Sequence, residues 1–318
     1  WVLRERNRKI AAKTEAFTEQ QARRVRSFHS SFKEYSPTPL IELTSLAQHL
    51  GIKNLFVKDE SYRFELNAFK VLGGSFAIGS YIANELGEDI DDLPYMRLVS
   101  DEVRSLLGSK TFITTTDGNH GRGVAWTANR LKQQAIVYMP QGSAAERLAN
   151  IRAEGAQAEI TDMNYDDTVR YTSELAQKNG WIIVQDTAWD GYTRIPLWIM
   201  QGYMTMALEA YEQLPVKPTH IFLQAGVGSL AGSVQGFFAD IYGSSCPLTF
   251  IVEPKGADCL YQTAAANDGS LHSVTGRLET IMAGLACGEP NSIAWEILGN
   301  LSDGFISCPD YTAAQGMR

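Results

Sequence analysis

Lys70 is the residue whose setting first suggests chemistry. It stands in an apolar stretch between a strand-like run, 54–59, and a helix-like run, 75–86. A partly desolvated lysine has a lowered pKa, and its neutral amine is the nucleophile that forms a Schiff base with a carbonyl. Most lysines at the ends of elements extend their charge into water instead. The chemical interpretation of Lys70 therefore depends on neighbouring segments that could hold a carbonyl compound.

Two strand-to-helix turns offer such a site. The first, 114–121, follows a run of β-branched residues and contains Asn119. The second, 224–233, contains Gly226, Val227, Gly228 and Ser229. Turns of this kind lie at the carboxyl edge of a parallel sheet, where glycines admit a phosphate and the next helix offers its N-terminal N–H groups. Each turn alone is equally consistent with a purely structural role.

The lysine and the two turns, in this order, resemble the fold type II pyridoxal phosphate enzymes, the tryptophan synthase β-like group. Within that group the chain is most similar to the diaminopropionate ammonia-lyase family. The resemblance extends over nearly the whole chain from about residue 28. The segments that carry it are 35–40, 57–61, 67–70, 114–125, 162–170, 184–189 and 281–290.

This resemblance implies a cofactor and a reaction. Lys70 is expected to bind pyridoxal 5′-phosphate covalently and then to move protons at the substrate Cα. Asn119 is expected to bond the cofactor 3′ oxygen, and the phosphate is expected to lie among Gly226, Val227, Gly228 and Ser229. The implied reaction is an α,β-elimination that converts D- and L-2,3-diaminopropionate to pyruvate and ammonia.

Two carboxylates refine this expectation. Asp117 stands where related serine and threonine dehydratases carry a small hydroxyl or apolar residue. It could pair with the substrate β-ammonium and move a proton on the face opposite Lys70, or it could simply cap the following helix. Asp186 follows the apolar run 182–185 and is assigned to substrate orientation or proton transfer. The competing carboxylate, Asp190, is predicted to be a solvated loop residue.

Two other functions stay open on the sequence. A serine, threonine or D-amino-acid dehydratase of the same fold would expel water instead of ammonia. A non-catalytic small-molecule-binding protein is the other alternative. In the resembling family a Ser or Thr near the C-terminus of the large domain bonds the pyridine nitrogen, and this sequence stops at Arg318 before any such motif. We therefore expect part of the C-terminal segment to be missing.

The elements that must position these residues alternate between strand and helix patterns. This alternation is typical of α/β proteins, and it predicts two domains, each with a mainly parallel twisted sheet flanked by helices. Residues 73–193 are expected to form a small mobile domain, and residues 1–72 and 194–318 a large cofactor-binding domain. The segment 87–110 is predicted to be an irregular surface insertion.

Composition excludes several partners. The net charge of −8 argues against a nucleic acid, because phosphate binding needs a basic surface. The sequence contains neither a signal-peptide pattern nor an apolar run long enough for a membrane span. The four cysteines and five histidines show no metal-ligand spacing, so no metal site is predicted and the cysteines are expected to be free thiols of a cytoplasmic protein. A homodimer is usual in the resembling family.

Overall fold

The computed structural model describes residues 1–4, 14–116 and 118–318. The strands are Val2–Leu3 (β1), Leu40–Glu42 (β2), Phe56–Lys58 (β3), Thr111–Thr115 (β4), Gln134–Met139 (β5), Gln157–Ile160 (β6), Ile182–Ile183 (β7), His220–Gln224 (β8), Leu248–Pro254 (β9) and Gly304–Cys308 (β10). The α-helices are Glu19–Ser30 (α1), Thr44–Leu50 (α2), Lys70–Leu86 (α3), Tyr95–Leu98 (α4), Asp101–Leu107 (α5), Asn119–Arg130 (α6), Ala145–Ala153 (α7), Tyr165–Asn179 (α8), Arg194–Gln213 (α9), Ser229–Tyr242 (α10), Cys259–Ala266 (α11), Ser292–Leu301 (α12) and Asp310–Gly316 (α13). The predicted mixed α/β class is confirmed.

Two four-stranded sheets organise the molecule. The first has the order β6-β5-β4-β7, and all of its pairings are parallel. The second has the order β1-β10-β9-β8, in which only the edge strand β1 is antiparallel. Parallel strands end at the same edge of a sheet, so the segments that follow β4, β7 and β8 come out where α/β proteins hold their ligands.

Two local predictions need correction. The helix that carries Lys70 begins at Lys70 itself rather than near residue 75, so the lysine is the first residue of α3. The segment 87–110 is not irregular, because it forms a 3₁₀ turn and the helices α4 and α5. It buries Leu93, Leu98 and Val103 against the core. The acidic residues at 88–92 suggested an exposed segment, and the spacing of these three apolar residues was therefore not recognised as a helical pattern.

Helix α3 crosses α9 at two glycines. A Cβ atom on residue 202 would lie 2.3 Å from the carbonyl oxygen of Leu72, and one on residue 73 would lie 2.7 Å from the ring of Tyr203. Neither distance is possible for a real side chain, so the close contact of the two helices requires Gly73 and Gly202. The crossing fixes the start of α3 against the longest helix of the fold.

A buried ionic network holds the segment that leads to Lys70. The guanidinium of Arg63 is fully buried and donates hydrogen bonds to Glu60 and to Glu209 of α9. Between Arg63 and Lys70 the backbone takes left-handed conformations at Phe64, Glu65 and Asn67. Such conformations cost energy in residues other than glycine and persist only where the surroundings impose them. We call this Arg63, Glu60 and Glu209 cluster the Arg63 network.

Within the described residues, no helix is both long enough and apolar enough to cross a membrane. The same residues contain no group of three or more His, Cys, Asp or Glu that could hold a metal ion. All four cysteines are free thiols; Cys259 is buried, and the other three are half-buried.

Candidate active site

The centre of the site is an ion pair between two segments far apart in the sequence. Lys70 Nζ donates a hydrogen bond of 2.5 Å to Asp186 Oδ2. The side chain of Lys70 is 24% exposed and that of Asp186 only 8%. Asp186 lies three residues after the end of β7, at the carboxyl edge of the first sheet. The fold therefore brings together two of the residues predicted to be catalytic.

The charge state of Lys70 differs from the sequence prediction. Burial alone favours the neutral amine, as expected, but the Asp186 carboxylate stabilises the ammonium more strongly and raises the pKa of Lys70 above its ordinary value. Burial likewise opposes ionisation of Asp186, yet Lys70 and then His120 lower the pKa of this carboxyl to about 2. The predicted lowering of the pKa of Lys70 is wrong for the protein in this state, because the sequence does not reveal its partner.

The glycine-rich loop forms the opposite wall of the same cavity. It joins β8 to α10, whose N-cap residue, Gly228, has φ 98°. This left-handed conformation favours glycine. No side chain caps α10, so the N–H groups of its first turn remain available to a ligand. The hydroxyl of Ser229 donates to the backbone carbonyl of Asp186 at 2.5 Å, and Asn291 donates to that hydroxyl at 2.8 Å.

The turn after β4 contributes its predicted asparagine. Asn119 is the first residue of α6 and lines the cavity. His120 also lines the cavity, and its Nε2 lies 2.7 Å from the carbonyl oxygen of Val184. Asp117 lies outside the described residues, so its predicted role stays a prediction.

The cavity has a volume of about 170 Å³ and includes residues that the sequence did not single out. Its lining contains five of the predicted cofactor-binding residues, namely Lys70, Asn119, Gly226, Val227 and Ser229. Gly228 acts as the cap of α10 behind this wall. The additional lining residues include Arg147 and Tyr203. Tyr203 sits in an apolar helical stretch that predicts only core packing, so no local signal could have identified it.

A second cavity of about 250 Å³ adjoins the first and shares Val227 and Cys287 with it. Its walls carry Asp166, Glu289 and Arg170. Burial raises the pKa of Asp166 and of Glu289, and the charge of Asp166 raises that of Glu289 further, whereas Arg170 opposes both shifts. The second cavity therefore places three charged side chains next to the cavity that contains Lys70.

The segment 162–170, which carries part of the family resemblance, contains the start of helix α8. Its N-cap is Asn164, whose side chain accepts a hydrogen bond from the backbone N–H of Asp167 at 2.9 Å. Tyr165, Asp166 and Asp167 form the first turn, where acidic residues favour the helix dipole. Tyr165 also accepts a hydrogen bond at its hydroxyl from Gln185 Nε2 at 2.8 Å. The competing carboxylate, Asp190, is exposed, as predicted.

The arrangement fits pyridoxal phosphate. A reactive amine, Lys70, and an uncapped helix N-terminus, that of α10, face one cavity. An amine can hold an aldehyde covalently, and a helix N-terminus binds phosphate through its N–H groups and its dipole. The cavity therefore offers a matched partner for each end of the cofactor.

Comparison with known proteins agrees with this geometry. A model of the family described as pyridoxal-phosphate dependent enzyme matches residues 32–318. The diaminopropionate ammonia-lyase of Salmonella typhimurium is 53% identical over 298 residues, which cover 92% of this chain and 74% of that protein.

Two crystal structures of Escherichia coli diaminopropionate ammonia-lyase are also similar to this chain. The holo enzyme, with selenomethionine incorporated, superposes with a TM-score of 0.91 and is 50% identical; the match covers 100% of this chain and 80% of that one. The complex with D-serine has a TM-score of 0.90 at 50% identity, with coverages of 99% and 78%. The chain belongs to the family of pyridoxal-phosphate dependent enzymes.

Proposed function

We propose that this chain catalyses the pyridoxal-phosphate-dependent α,β-elimination of 2,3-diaminopropionate, in its D and L forms, to pyruvate and ammonia. The observation that carries the proposal is the position of Lys70, which lies hydrogen-bonded to Asp186 in the cavity walled by the 225–229 loop. The names of the relatives that are 50–53% identical support the choice of substrate.

Each end of the cofactor has a partner in the cavity. Lys70 would attach it covalently, the 226–229 segment would hold its phosphate, and Asn119 would bond its 3′ oxygen. Bound pyridoxal phosphate supplies an electron sink that stabilises negative charge at the substrate Cα. The protein's own task is then to bind, to orient and to move protons.

Lys70 and Asp186 share the handling of protons. Lys70 must lose a proton before it can react with a carbonyl, because only the neutral amine is a nucleophile. Asp186 lies within hydrogen-bond distance of this amine and stabilises its charged form, so we assign Asp186 to keep Lys70 protonated and oriented until the proton leaves to solvent or to another base. Whenever its amine is not attached to the cofactor, Lys70 would serve as the general base at the substrate Cα.

The charge of the adjoining cavity favours a substrate with a second ammonium group. Asp186 already lies beside the cavity, and Asp166 and Glu289 line the adjoining one, where Arg170 is the balancing cation among the described lining residues. Diaminopropionate carries one more amine than serine does. In the adjoining cavity the two carboxylates outnumber the one cation among the described lining residues, so this cavity is the part of the site that would attract the second ammonium.

Asp117 is proposed to serve the substrate isomer that Lys70 cannot reach. Lys70 approaches the Cα proton from one face only, so a substrate of opposite configuration needs a second base. Replacing Asp117 by Asn keeps the shape and removes the basicity, and turnover of D-diaminopropionate should fall about 10²–10⁴-fold, with a much smaller fall for the L isomer. Steady-state kinetics on the separate isomers test this. An equal fall for both would reassign Asp117 to holding the β-ammonium.

One assay separates the proposal from its alternatives. The wild-type protein should show a visible absorbance band with pyridoxal phosphate, borohydride should trap the cofactor on Lys70, and diaminopropionate should yield pyruvate and ammonia. Pyruvate or a related keto acid from serine or threonine, with none from diaminopropionate, would instead identify a dehydratase. A trapped cofactor without turnover of any amino acid would identify a binding protein.

The proposal also covers the domain division, the oligomeric state and the cellular location. A small mobile domain at 73–193 is supported by the first sheet, whose strands all lie within 111–183, whereas β1, β8, β9 and β10 of the second sheet lie outside it. A homodimer is proposed from the family. A cytoplasmic location is proposed from the four free thiols.

A further inference from the structure

Tyr203 has a hydroxyl group without an assigned use. The side chain belongs to α9, lines the cavity beside Lys70 and is 1% exposed. Its phenolic oxygen is buried and has no hydrogen-bond partner among the residues that the structure describes. A hydroxyl in this position gives up its bonds to water without replacement, which is unfavourable in the ligand-free protein.

The fold holds this phenol in place. Its ring packs on Gly73, one turn after Lys70, where any Cβ atom would lie 2.7 Å from the ring. Phe69 contacts the same ring edge-on, with 5.2 Å between the ring centroids. The ring therefore cannot turn away to find a partner in the protein interior. Two independent contacts orient a polar atom that the surrounding protein does not use.

The charges near Tyr203 decide its role as a donor. Burial raises the pKa of the phenol, Lys70 opposes this effect, and Asp186 adds to it. The net result is a pKa above the ordinary value, so the hydroxyl keeps its proton at any pH at which the enzyme would work. Tyr203 is thus a fixed O–H donor next to the amine that would carry the cofactor.

We propose that Tyr203 is a further cofactor-binding residue, whose phenol donates a hydrogen bond to an acceptor atom of pyridoxal phosphate attached to Lys70. This inference rests on the cofactor assignment made under the proposed function and extends it to a residue on α9. A tyrosine with a merely structural role would have its hydroxyl paired within the protein, as Tyr192 has.

Tyr203→Phe tests the proposal in the apo and the cofactor-loaded protein. Removing an unpaired hydroxyl should leave the Tm of the apo protein unchanged or slightly higher. The Kd for pyridoxal phosphate should rise about three- to tenfold, which is the effect of one lost hydrogen bond. The increase in Tm on adding the cofactor should shrink accordingly, because stabilisation by a ligand follows its affinity.

Tyr192→Phe is the matched control. The hydroxyl of Tyr192 donates to the carbonyl of Ile183 and accepts from the N–H of Gln185, both at 2.9 Å. Its removal leaves two backbone groups unpaired, so the Tm of Tyr192→Phe should fall in the apo protein and by a similar amount in the loaded one. The two phenylalanine variants should therefore have different stability signatures.

Two results would overturn the role of Tyr203. An unchanged cofactor Kd in Tyr203→Phe would show that the phenol bonds the substrate or nothing at all. A lower Tm in the apo protein would show that the hydroxyl already has a partner before the cofactor binds. Binding is measured without turnover, so wild-type protein that binds the cofactor but leaves diaminopropionate intact would overturn only the proposed reaction.

Discussion

The Lys70–Asp186 pair and the Arg63 network are both buried ion pairs, but they differ in how completely their hydrogen bonds are satisfied. Among the described residues, the amine of Lys70 donates to Asp186 alone. The guanidinium of Arg63 bonds acceptors on several elements, namely Ser36, Thr38, Glu60 and Glu209. Both cations have raised pKa values, each against the opposing effect of burial.

This difference explains why the Arg63 network stabilises the fold, whereas Lys70 is able to react. A cation with every donor in use cannot leave its site without exposing several buried acceptors, so the Arg63 network holds its segment rigidly. Lys70 has N–H groups left over and a side chain that reaches the cavity, so it can exchange one partner for another. Buried charge alone therefore does not identify a reactive residue; incomplete hydrogen bonding beside a cavity does.

The largest expected effect is on activity. Lys70→Ala should abolish covalent cofactor binding and lower turnover by at least about 10³-fold, because the general base and the attachment point are lost together. Absorbance spectra with borohydride trapping, together with pyruvate release, measure both. Lys132→Ala, which changes an exposed lysine after the end of α6 that lines neither cavity, is the control. A borohydride-stable adduct and near-normal rates in Lys70→Ala would show that Lys70 is not the reactive residue. The contrast with the Arg63 network would then fail.

The second effect is on stability. Arg63→Ala leaves the largely buried Glu60 without its cation and leaves Glu209 with Lys58 alone, so it should reduce the free energy of unfolding by about 3 kcal/mol. Urea unfolding measures this loss. Arg23→Ala is the control, since Arg23 forms ion pairs at the surface with Glu19 and Glu212 and should cost little. If Arg63→Ala kept its stability but lost turnover when folded, the network would belong to the site.

The smallest expected effect is the pH dependence of the apo protein. The pKa of Asp186 is about 2 in the fold and higher in the unfolded chain, so its contribution is present above about pH 4 and lost as pH falls through 2. That contribution should be on the order of 2 kcal/mol. Asp186→Asn should lack it and keep the similar acid sensitivity of Glu209, whose pKa is also about 2. Identical pH profiles for wild type and Asp186→Asn would show that the ion pair does not stabilise the fold.

The sequence predicts the contiguous parts of the site well. Lys70, Asn119 and the 226–229 loop each stand in a short motif at an element boundary, and such motifs remain readable without the fold. The strand-like run 54–59 and the helix-like run 75–86 also coincide with β3 and with most of α3, because apolar periodicity is local. The charged state of Lys70 was not predictable in this way, since its partner lies 116 positions along the chain.

Tyr203 shows the same limit more sharply. Its neighbours in α9 are mainly apolar, so its side chain is indistinguishable from core packing until α9 is placed against α3. That placement depends on Gly73 and Gly202. Their importance follows from the short distances between the two helices, which the sequence does not reveal. A residue that reaches the cavity only because two helices cross can therefore be recognised only in the three-dimensional structure.

The crossing at Gly73 and Gly202 also bears on how new specificities could arise on this scaffold. The half of the cavity that bears Lys70 and Tyr203 is set by two tightly joined helices, where a single added methyl group is not tolerated. Apart from Arg147 of α7, the rest of the lining comes from the 224–227 loop, the segment 284–287 and the first residues of α6 and α10. Turns accept substitutions and insertions more readily than packed helices do. Substrate specificity can thus change through substitutions in these segments, while the two helices that position Lys70 stay unchanged.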